Sequence, residues 1–573
     1  MSTTSTDAQH RVREVDDDRS QAAAPLDLLL ADAALGPVRR FVPGRSGIRF
    51  ATNLAKRPGR VVARGRDLAS ELARIGVGRS ALTPLDKDRR FAADGWSGNP
   101  VLARALQTYL AVGTAARGLV ADAELDCADR ERMDFVVDNV VEAVAPSNSP
   151  VLNPTVLKAI VDTGGGNLVD GARRLVRDLS TPPRVPAMVE PDAFEVGVDL
   201  AMTPGEVVLR TDVFELIQYR PQTPKVRRVP LLIVPPTINK YYVIDLAEER
   251  SLVEHLVRSG QQVFVISWRN PDARHADWGL DTYGQAVLEA MDAAQQICRA
   301  DTIALFALCS SGMLSSMLLA HLADIGELDR VAAFSLAVTV LDQSRAGLPS
   351  ALLSPAVAAA ATAKSRQQGY LDGRTLAETF AWLRPNDLIW AYWVNNYLLG
   401  KAPKAFDILF WNADSVRLTA AMHRDFIELA VTNGLTEPGG STLLGSPVDL
   451  AKIDTDAYVV AGIADHLCRW ESCYRSTQLL GGDSRFVLST SGHIASMVNP
   501  PGNPKASFRT AARNPADPER WLRSAETRQG TWWDDYVGWL GARTGPERNK
   551  PRRLGNAAFP PVCPAPGTYV HDR

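Results

Sequence analysis

The chain has 573 residues, a length that predicts two to four domains, or one large domain with an accessory one. Hydrophobic residues make up 46% of it and charged residues 22%, a composition that excludes a chain disordered throughout. The 63 Lys and Arg residues nearly balance the 65 Asp and Glu residues, and this net charge of −2 argues against nucleic-acid binding, which requires a basic surface.

The N-terminal residues 1–25 are polar and lack the apolar core of a signal peptide, so we predict a disordered tail there. No segment reaches the roughly 18 uninterrupted apolar residues of a membrane span. The longest candidates are residues 332–341 and 351–363. The six cysteines have no disulfide-framework spacing. Together these features predict a soluble, cytoplasmic protein with reduced thiols.

Residues 26–179 carry apolar side chains at three- and four-residue steps, as in VLARALQTYLAVGTAARGLVADAEL, a pattern typical of amphipathic helices. The Pro-rich stretch STPPRVPAMVEPDAF, residues 180–194, follows and has the composition of a linker. We therefore predict an N-terminal helical domain over residues 26–185 and a catalytic domain over residues 186–573.

Beyond the linker, short apolar runs alternate with helical segments. The runs are VPLLIVPP, QQVFVISW, DTIALFALC, DAYVVAG and RFVLS. Continuous runs of this length fit strands buried on both faces of a parallel sheet, so the alternation predicts an α/β, doubly wound fold. A long helical, Trp-rich segment interrupts the alternation over about residues 342–444, and we predict that it forms a cap inserted over the active site.

Cys309 lies between a predicted strand and a predicted helix, in the sequence IALFALCSSGMLSSM. A nucleophile at a sharp strand-to-helix turn is the elbow of α/β-hydrolases, and the following helix directs its N-terminal amides and positive dipole end to the same place. That position lowers the pKa of a cysteine and stabilises an oxyanion. The local pattern alone leaves the alternative open, namely a buried and inert cysteine.

Two later segments favour the catalytic interpretation. Asp465 follows the apolar run DAYVVAG, and His493 follows the next run, RFVLS. The order nucleophile, acid, histidine, with the last two on loops after late strands, is that of α/β-hydrolases. Taken singly, Asp465 fits a turn residue and His493 a helix cap, but three such residues in this order argue for a triad.

Other candidates carry weaker signals. Zinc ligands could come from His466, Cys468 and Cys473, but these three do not make a closed ligand set. His321 lies on the helix after Cys309 and fits a packed or surface residue. The glycines at 164–166 lack the context of a nucleotide-binding loop. The aromatic residues of the insertion fit either a cap core or the apolar wall of an acyl pocket; they are Trp382, Trp390, Tyr392, Trp393 and Tyr397.

The sequence resembles the polyhydroxyalkanoate synthases, also called poly(3-hydroxyalkanoate) polymerases, from about Asp88 to the C-terminus. The resemblance rests on DRRFAADGWSGNP, GGGNLVDGARRLVRDL, PLLIVPPTINKYYVIDL, PNDLIWAYWVNNYLLG, AGIADHLCRWESCYRS and SGHIASMVNPPGNPKA. The segments FDILFWN, NYLLG and NPPGNPKA are most similar to those of the class II, medium-chain-length type. One departure is that Ala307 and Ser311 occupy the positions, two before and two after the cysteine, where the family has glycine.

The resemblance implies an α/β-hydrolase fold with an N-terminal helical domain, and polymerisation of (R)-3-hydroxyacyl-CoA into polyester with release of CoA. It implies that Cys309, Asp465 and His493 are catalytic. For the oxyanion we predict the backbone N–H of Ser310 and one amide near Thr237 and Ile238. We expect no cofactor and no metal, because a thioester and an alcohol react downhill to an oxoester and a thiol.

The expected partners are the growing polyester chain, the granule surface, a second copy of this chain and granule-associated proteins. The expected location is the cytoplasm, at polyester granules. Two alternatives stay open, a thioesterase or polyester depolymerase on the same fold, and a non-catalytic granule-binding subunit. The presence of a cysteine, rather than a serine, counts against the first, and the complete triad counts against the second. The sequence leaves the preferred acyl length open, as well as whether His493 or Asp465 activates the incoming hydroxyl.

Overall fold

The computed structural model describes Ala33 and residues 41–86, 88–180, 182–343, 355–465 and 467–573. The chain divides into two compact units. A helical unit contains the described residues of Leu35–Glu190 and Arg374–Ala405, and a sheet unit contains those of Met1–Ala34, Pro191–Gly373 and Phe406–Arg573. The predicted tail, residues 1–25, lies outside the described residues.

Two helices of the helical unit begin at an Asn–Pro pair. The Asn99 side chain accepts hydrogen bonds from the N–H groups of Val101 and Leu102, and Pro100 takes the first helical position, where no donor is needed. Asn153 caps a later helix in the same way. The helices are α1 (Gly44–Ala55), α2 (Pro58–Gly76), α3 (Gly95–Gly98), α4 (Pro100–Asp122), α5 (Cys127–Ala143), α6 (Pro154–Asp162) and α7 (Gly166–Ser180).

The sheet unit is built on strands that the apolar runs predict. Its strands are β1 (Gly205–Arg210), β2 (Phe214–Tyr219), β3 (Lys225–Arg227), β4 (Leu231–Val234), β5 (Val263–Trp268), β6 (Ile303–Leu308), β7 (Val331–Ala337), β8 (Tyr370–Leu371), β9 (Leu418–Thr419), β10 (Thr442–Leu443), β11 (Ser446–Pro447), β12 (Ala457–Gly462), β13 (Ser484–Ser489), β14 (Ser507–Thr510), β15 (Glu526–Gln529), β16 (Glu547–Asn549) and β17 (Cys563–Pro564).

Eleven of the strands in the described ranges form one sheet, in the order β15-β14-β13-β12-β7-β6-β4-β5-β2-β1-β17. Its centre, β5-β4-β6-β7-β12-β13, is parallel throughout, and antiparallel pairs flank it on both sides. All residues of β4, β5, β6 and β12 are buried, which explains their uninterrupted apolar sequences. The predicted α/β architecture with a parallel central sheet is confirmed.

Helices follow most of the central strands. The α-helices beyond residue 190 are α8 (Leu252–Arg258), α9 (Leu280–Cys298), α10 (Ser310–Asp324), α11 (Pro355–Gln368), α12 (Gly373–Leu383), α13 (Asp407–Ala413), α14 (Ala420–Thr432), α15 (Trp470–Leu479), α16 (His493–Met497), α17 (Pro518–Ser524) and α18 (Trp532–Gly541), of which α12 groups with the helical unit. None of the helices within the described ranges is long and apolar enough to cross a bilayer. Because β6, β12 and β13 are parallel, the loops after their carboxyl ends lie at the same edge of the sheet.

The predicted cap insertion, residues 342–444, is divided between the two units, because Arg374–Ala405 groups with the helical unit. The reason is a set of buried contacts that a local pattern does not reveal. Asn396 donates to the carbonyl oxygen of Ala187 at 2.7 Å, and the Tyr397 hydroxyl donates to Asp178 at 2.8 Å. Gly171 in α7 is required here, since a Cβ atom would lie 1.8 Å from the Tyr397 carbonyl oxygen.

The aromatic residues of Arg374–Ala405 pack as a chain of rings within the helical unit. Trp382 contacts Phe41, with ring centroids 4.9 Å apart, and the contacts continue through Trp390, Trp393 and Tyr397 at 6.3, 6.0 and 5.4 Å. These edge-on contacts are typical of a packed core. The interpretation of these residues as core is therefore favoured over an acyl-pocket wall.

Candidate active site

Cys309 forms the sharp turn between β6 and α10 by itself, since β6 ends at Leu308 and α10 begins at Ser310. Its backbone has φ +50° and ψ −118°, a conformation that residues with a Cβ atom rarely adopt. The Cys309 N–H donates to the carbonyl oxygen of Ala337 in the neighbouring strand β7 at 2.9 Å. The strained turn that the sequence predicts for a nucleophile elbow is therefore present at this residue.

Close packing around the elbow explains its small residues. A Cβ atom at Gly312 would lie 2.0 Å from the Thr339 hydroxyl oxygen, so only glycine fits. That hydroxyl donates to the carbonyl oxygen of Ala337 at 3.0 Å, which holds Thr339 in place. Ser311, at a family glycine position, donates from its hydroxyl to the carbonyl oxygen of Pro235 at 2.6 Å. The serine thus ties the elbow to the loop after β4, and the turn closes without the glycine.

Asp465 and His493 follow the ends of β12 and β13 and meet at the same edge of the sheet. Oδ2 of Asp465 lies 2.7 Å from Nδ1 of His493, and both residues are buried. Oδ1 of Asp465 accepts from the N–H groups of Leu467 and Cys468 at 2.8 and 2.9 Å. Both oxygens of the carboxylate are therefore engaged, one in orienting the imidazole and the other in shaping its own loop.

The sulfur of Cys309, a ring nitrogen of His493 and the sulfur of Cys468 lie within 4.8 Å of one another. Since Nδ1 of His493 is bonded to Asp465, Nε2 is the nitrogen left for the cysteine. The three predicted triad residues are brought together, with Cys468 beside them. This cluster offers the ligand atoms of a Cys₂His site for a soft divalent cation. Such an ion would occupy the thiolate and the imidazole together, so it would compete with their chemistry.

The position of Cys468 is one that sequence reasoning missed. The sequence placed it in a weak zinc set with His466 and Cys473, of which His466 lies outside the described residues. Cys473 lies in α15, fully buried, and its thiol donates to the Cys468 carbonyl oxygen at 3.7 Å. The signal in the sequence is the three-residue spacing between Asp465 and Cys468. An aspartate whose side chain accepts from the N–H three residues later forms a turn, and this turn brings Cys468 back toward Asp465.

The residues predicted for the oxyanion lie next to each other and are buried. The Thr237 N–H donates to the Ser310 hydroxyl at 3.3 Å, and Ile238 follows in the same loop. Ser310 is the first residue of α10, where a backbone N–H has no partner one turn earlier in the helix. The helix N-terminus and the loop after β4 therefore converge beside Cys309, as an oxyanion site requires.

The loop after β4 is held by the C-terminal segment of the chain. The Lys240 ammonium donates to the carbonyl oxygens of Tyr569 and Asp572 at 3.2 and 2.6 Å. Glu215 in β2 accepts from the N–H groups of Thr568 and Tyr569 at 2.8 and 3.0 Å. The last residues of the chain thus fix the loop that carries Thr237 and Ile238.

Comparison with known proteins agrees with this geometry. Residues 87–256 match the N-terminal region of poly-beta-hydroxybutyrate polymerase (PhaC), and residues 230–500 match the alpha/beta hydrolase fold. The chain is 45% identical over 506 residues to poly(3-hydroxyalkanoate) polymerase 2 of Ectopseudomonas oleovorans. The aligned region covers 88% of this chain and 90% of the relative. The chain belongs to the poly(3-hydroxyalkanoate) polymerase family.

Other members of the polymerase family show the same extent of similarity. Polymerase 1 of Ectopseudomonas oleovorans is 46% identical, over 88% of this chain and 90% of that relative. The polymerase subunit PhaC of Cupriavidus necator is 38% identical, over 88% of this chain and 86% of that relative. Among solved structures, an esterase from Thermogutta terrifontis is 12% identical and covers 60% of this chain and 98% of its own, with a TM-score of 0.29. The polymerase relatives and the family model of the alpha/beta hydrolase fold confirm the predicted resemblance and fold.

The electrostatics of this polymerase-family site favour a thiolate on Cys309. A hydrogen bond from the Cys468 thiol and the charge of His493 lower the pKa of Cys309 to about 5, against the opposing effect of burial. Burial alone would lower the pKa of His493, but the charge and hydrogen bond of Asp465 outweigh it and raise the pKa to about 10. The pKa of Cys468 is raised well above its usual value. Both shifts favour a Cys309 thiolate beside a protonated His493 near neutral pH.

This pairing predicts the pH dependence of alkylation at Cys309. The rate with iodoacetamide is expected to stay constant as the pH falls from about 8 to about 6 and to halve near pH 5, because the thiolate is lost as the pH falls through its pKa. His493→Ala removes the imidazolium and is expected to move the midpoint upward, toward the ordinary thiol value of about 8.5. The measurement is timed alkylation followed by mass spectrometry of the peptide containing Cys309. A wild-type midpoint above pH 8 would contradict the ion pair.

The remaining sequence candidates lie outside this cluster. Nδ1 of His321 is 2.9 Å from the Ser446 hydroxyl, and His321 is buried, so it is a packed residue of α10. The glycines at 164–166 connect α6 to α7, and Gly164 and Gly165 have φ values of +58° and +86°. They form a helix-to-helix turn rather than a strand-to-helix phosphate loop.

Proposed function

We propose that this chain polymerises (R)-3-hydroxyacyl-CoA into polyhydroxyalkanoate with release of CoA, through an acyl–Cys309 intermediate. The observation that carries the proposal is a thiol on a strained strand-to-helix turn, beside an imidazole that is oriented by a buried carboxylate, in a member of the polymerase family. A thiolate suits a thioester substrate, since one thioester is exchanged for another at little cost.

In the acylation step, the Cys309 thiolate attacks the carbonyl carbon of the acyl-CoA. The N–H of Ser310 and the Ile238 amide of the loop after β4 hold the developing oxyanion, since the Thr237 N–H donates to the Ser310 hydroxyl. The C–S bond to CoA then breaks, and His493 gives its proton to the departing thiolate. The products are acyl–Cys309, free CoA and a neutral imidazole.

In the elongation step, the hydroxyl of a second 3-hydroxyacyl unit attacks the acyl–Cys309 carbonyl. His493 takes the hydroxyl proton and the Cys309 thiolate leaves, which restores the starting ion pair. The hydrogen bonds of Asp465 favour His493 over Asp465 as the base, because Oδ2 is bonded to the imidazole and Oδ1 accepts from two backbone N–H groups. The exchange of a thioester for an oxoester is downhill and consumes no ATP.

The cellular location, the oligomeric state and the partner proteins are also proposals. We propose that the chain works in the cytoplasm at the surface of polyester granules, as a homodimer, and with granule-associated proteins. Support for the dimer comes from the family resemblance. The argument from an exposed Trp-rich surface carries little weight, since Trp382, Trp390 and Trp393 contact other rings within the helical unit.

The test is the product formed from one substrate. Purified protein is incubated with (R)-3-hydroxydecanoyl-CoA, and CoA, free 3-hydroxydecanoic acid and insoluble polyester are each quantified by chromatography. We expect CoA and polyester in matching amounts, with little free acid. Free acid in place of polyester would identify a thioesterase. Absence of CoA release, with binding to granules retained, would identify a non-catalytic subunit.

The same assay across acyl lengths tests the predicted preference for medium-chain units. Each buried CH₂ contributes about 0.8 kcal/mol, so an acyl pocket with room should favour a longer chain by roughly fourfold per methylene, up to its wall. We expect kcat/KM to rise from 3-hydroxybutyryl-CoA through 3-hydroxyhexanoyl-CoA to 3-hydroxydecanoyl-CoA. The matched variants Ala307→Gly and Ser311→Gly restore the family pattern. A clear optimum at four carbons would refute the medium-chain assignment, and the two variants would then show whether Ala307 and Ser311 are the cause.

A further inference from the structure

A second thiol beside the proposed nucleophile has no part in the polymerisation steps. The sulfurs of Cys309 and Cys468 lie within 4.8 Å of each other and of a His493 ring nitrogen. Other thiols among the described residues are engaged elsewhere. That of Cys298 donates to Gln262 at 3.5 Å and that of Cys473 to the Cys468 carbonyl oxygen at 3.7 Å. The sulfurs of Cys309 and Cys468 therefore face each other and His493, whereas the neighbouring Cys473 thiol is directed to a backbone oxygen.

We propose that Cys309 and Cys468 are an oxidative modification site, at which hydrogen peroxide converts the two thiols to a reversible disulfide. The two residues differ in accessibility, which sets the order of events. Cys309 as a whole residue is partly exposed, whereas Cys468 is only 5% exposed, and the sulfurs of both are buried. Peroxide therefore meets Cys309 first, and Cys468 acts as the resolving cysteine.

In the first step, the Cys309 thiolate attacks one peroxide oxygen and the O–O bond breaks. The departing hydroxide takes a proton from the His493 imidazolium and leaves as water, so that Cys309 carries a sulfenic acid and His493 is neutral. The sulfur is oxidised by two electrons and the peroxide is reduced.

In the second step, His493 takes the proton of the Cys468 thiol, and the thiolate attacks the Cys309 sulfur. The S–S bond forms as the S–O bond breaks, and the hydroxide leaves as water with the proton from His493. The sum is two thiols and one peroxide giving one disulfide and two waters. A nearby resolving thiol protects the first cysteine from the irreversible sulfinic state.

The turn made by Asp465 explains why the second thiol is in reach. Oδ1 of Asp465 accepts from the Cys468 N–H, while Oδ2 holds His493. One carboxylate therefore positions the base and the resolving cysteine against the same nucleophile. The proposal goes beyond polymerisation, and only its effect on activity rests on the proposed function.

The test treats full-length protein with a few equivalents of hydrogen peroxide in the presence of EDTA. We expect free thiols, counted after denaturation, to fall from six to four per chain. We also expect a cross-linked peptide joining Cys309 to Cys468, two hydrogen atoms lighter than its parts. CoA release is expected to be lost and to return on treatment with dithiothreitol. The cross-linked peptide is read independently of activity, so its presence supports the site even in a chain that makes no polymer.

The matched variants are Cys468→Ser and Cys473→Ser, with Cys468→Ala as a second form in case the serine disturbs folding. Each is compared with its own untreated activity. Cys473→Ser is expected to behave as the wild type. The Cys468 variants are expected to lack the cross-link and to reach the sulfinic acid at Cys309, which dithiothreitol does not reduce, at a lower peroxide dose than the wild type. A wild-type chain without the cross-link, or irreversible loss at the same peroxide dose in the wild type and the Cys468 variants, would overturn the proposal. The same treatment is repeated without EDTA. Inhibition that occurs only in the absence of EDTA would indicate a metal ion at these sulfurs instead of a disulfide.

Discussion

Replacing Cys309 with alanine is expected to lower the rate of CoA release by about 10⁴-fold or more, because every proposed step passes through a bond to its sulfur. Alanine has the same Cβ atom as cysteine and meets the same backbone constraint at φ +50°, so the change leaves the fold intact. The N–H of residue 309 still donates to Ala337. The measurement is CoA release from (R)-3-hydroxydecanoyl-CoA, with the melting temperature recorded for the same preparation.

Cys309→Ser is expected to be nearly as inactive, because a hydroxyl has a far higher pKa than a thiol and His493 would have to remove its proton in the attack itself. The matched control is Cys298→Ser, a buried cysteine of α9 that bonds Gln262 and lies outside the cluster. This variant is expected to retain most of its activity. Turnover of the alanine variant close to that of the wild type would rule out Cys309 as the nucleophile.

Asp465→Asn is expected to lower kcat by about 10³- to 10⁴-fold while the protein remains folded. Asparagine keeps an oxygen that accepts from Leu467 and Cys468, so the loop is preserved. It removes the charge that raises the pKa of His493, and it leaves the wrong tautomer of the imidazole facing Cys309. The measurement is kcat together with the pH dependence of Cys309 alkylation, whose midpoint is expected to move upward.

The control for this change is Asp456→Asn, at the residue just before the same strand, where the carboxylate pairs with Arg543 at 2.7 Å. It removes an equal charge near β12 without touching the imidazole, so CoA release is expected to stay close to that of the wild type. If Asp465→Asn kept more than about a tenth of the wild-type kcat, the orienting role given to this carboxylate would fail.

Much of the site could be predicted because each of its residues lies within four residues of the end of a strand. Apolar runs mark β6, β12 and β13, and Cys309, Asp465 and His493 follow their ends at the sheet edge. The elbow could be predicted for the same reason, since one residue separates β6 from α10. Strand order in a parallel sheet then brings Cys309, Asp465 and His493 together.

What the sequence could not predict depends on contacts between distant segments. The requirement for Gly312 comes from Thr339, and the tolerance of Ser311 comes from the carbonyl oxygen of Pro235. The approach of Cys468 to Cys309 comes from a turn that only the hydrogen bonds of Asp465 define. The grouping of Arg374–Ala405 with the helical unit depends on buried partners such as Asp178, more than 200 residues away. Periodicity reports the burial of a side chain but not the identity of its neighbour.

The central claim is that the growing acyl group is carried on Cys309. The direct measurement is rapid mixing of the protein with (R)-3-hydroxydecanoyl-CoA, followed by acid quenching, proteolysis and mass spectrometry. We expect a burst of CoA matched by a 3-hydroxydecanoyl thioester on the peptide containing Cys309, extended by further units at later times. A burst of CoA with the acyl group on another residue, or with no acylated peptide, would contradict it.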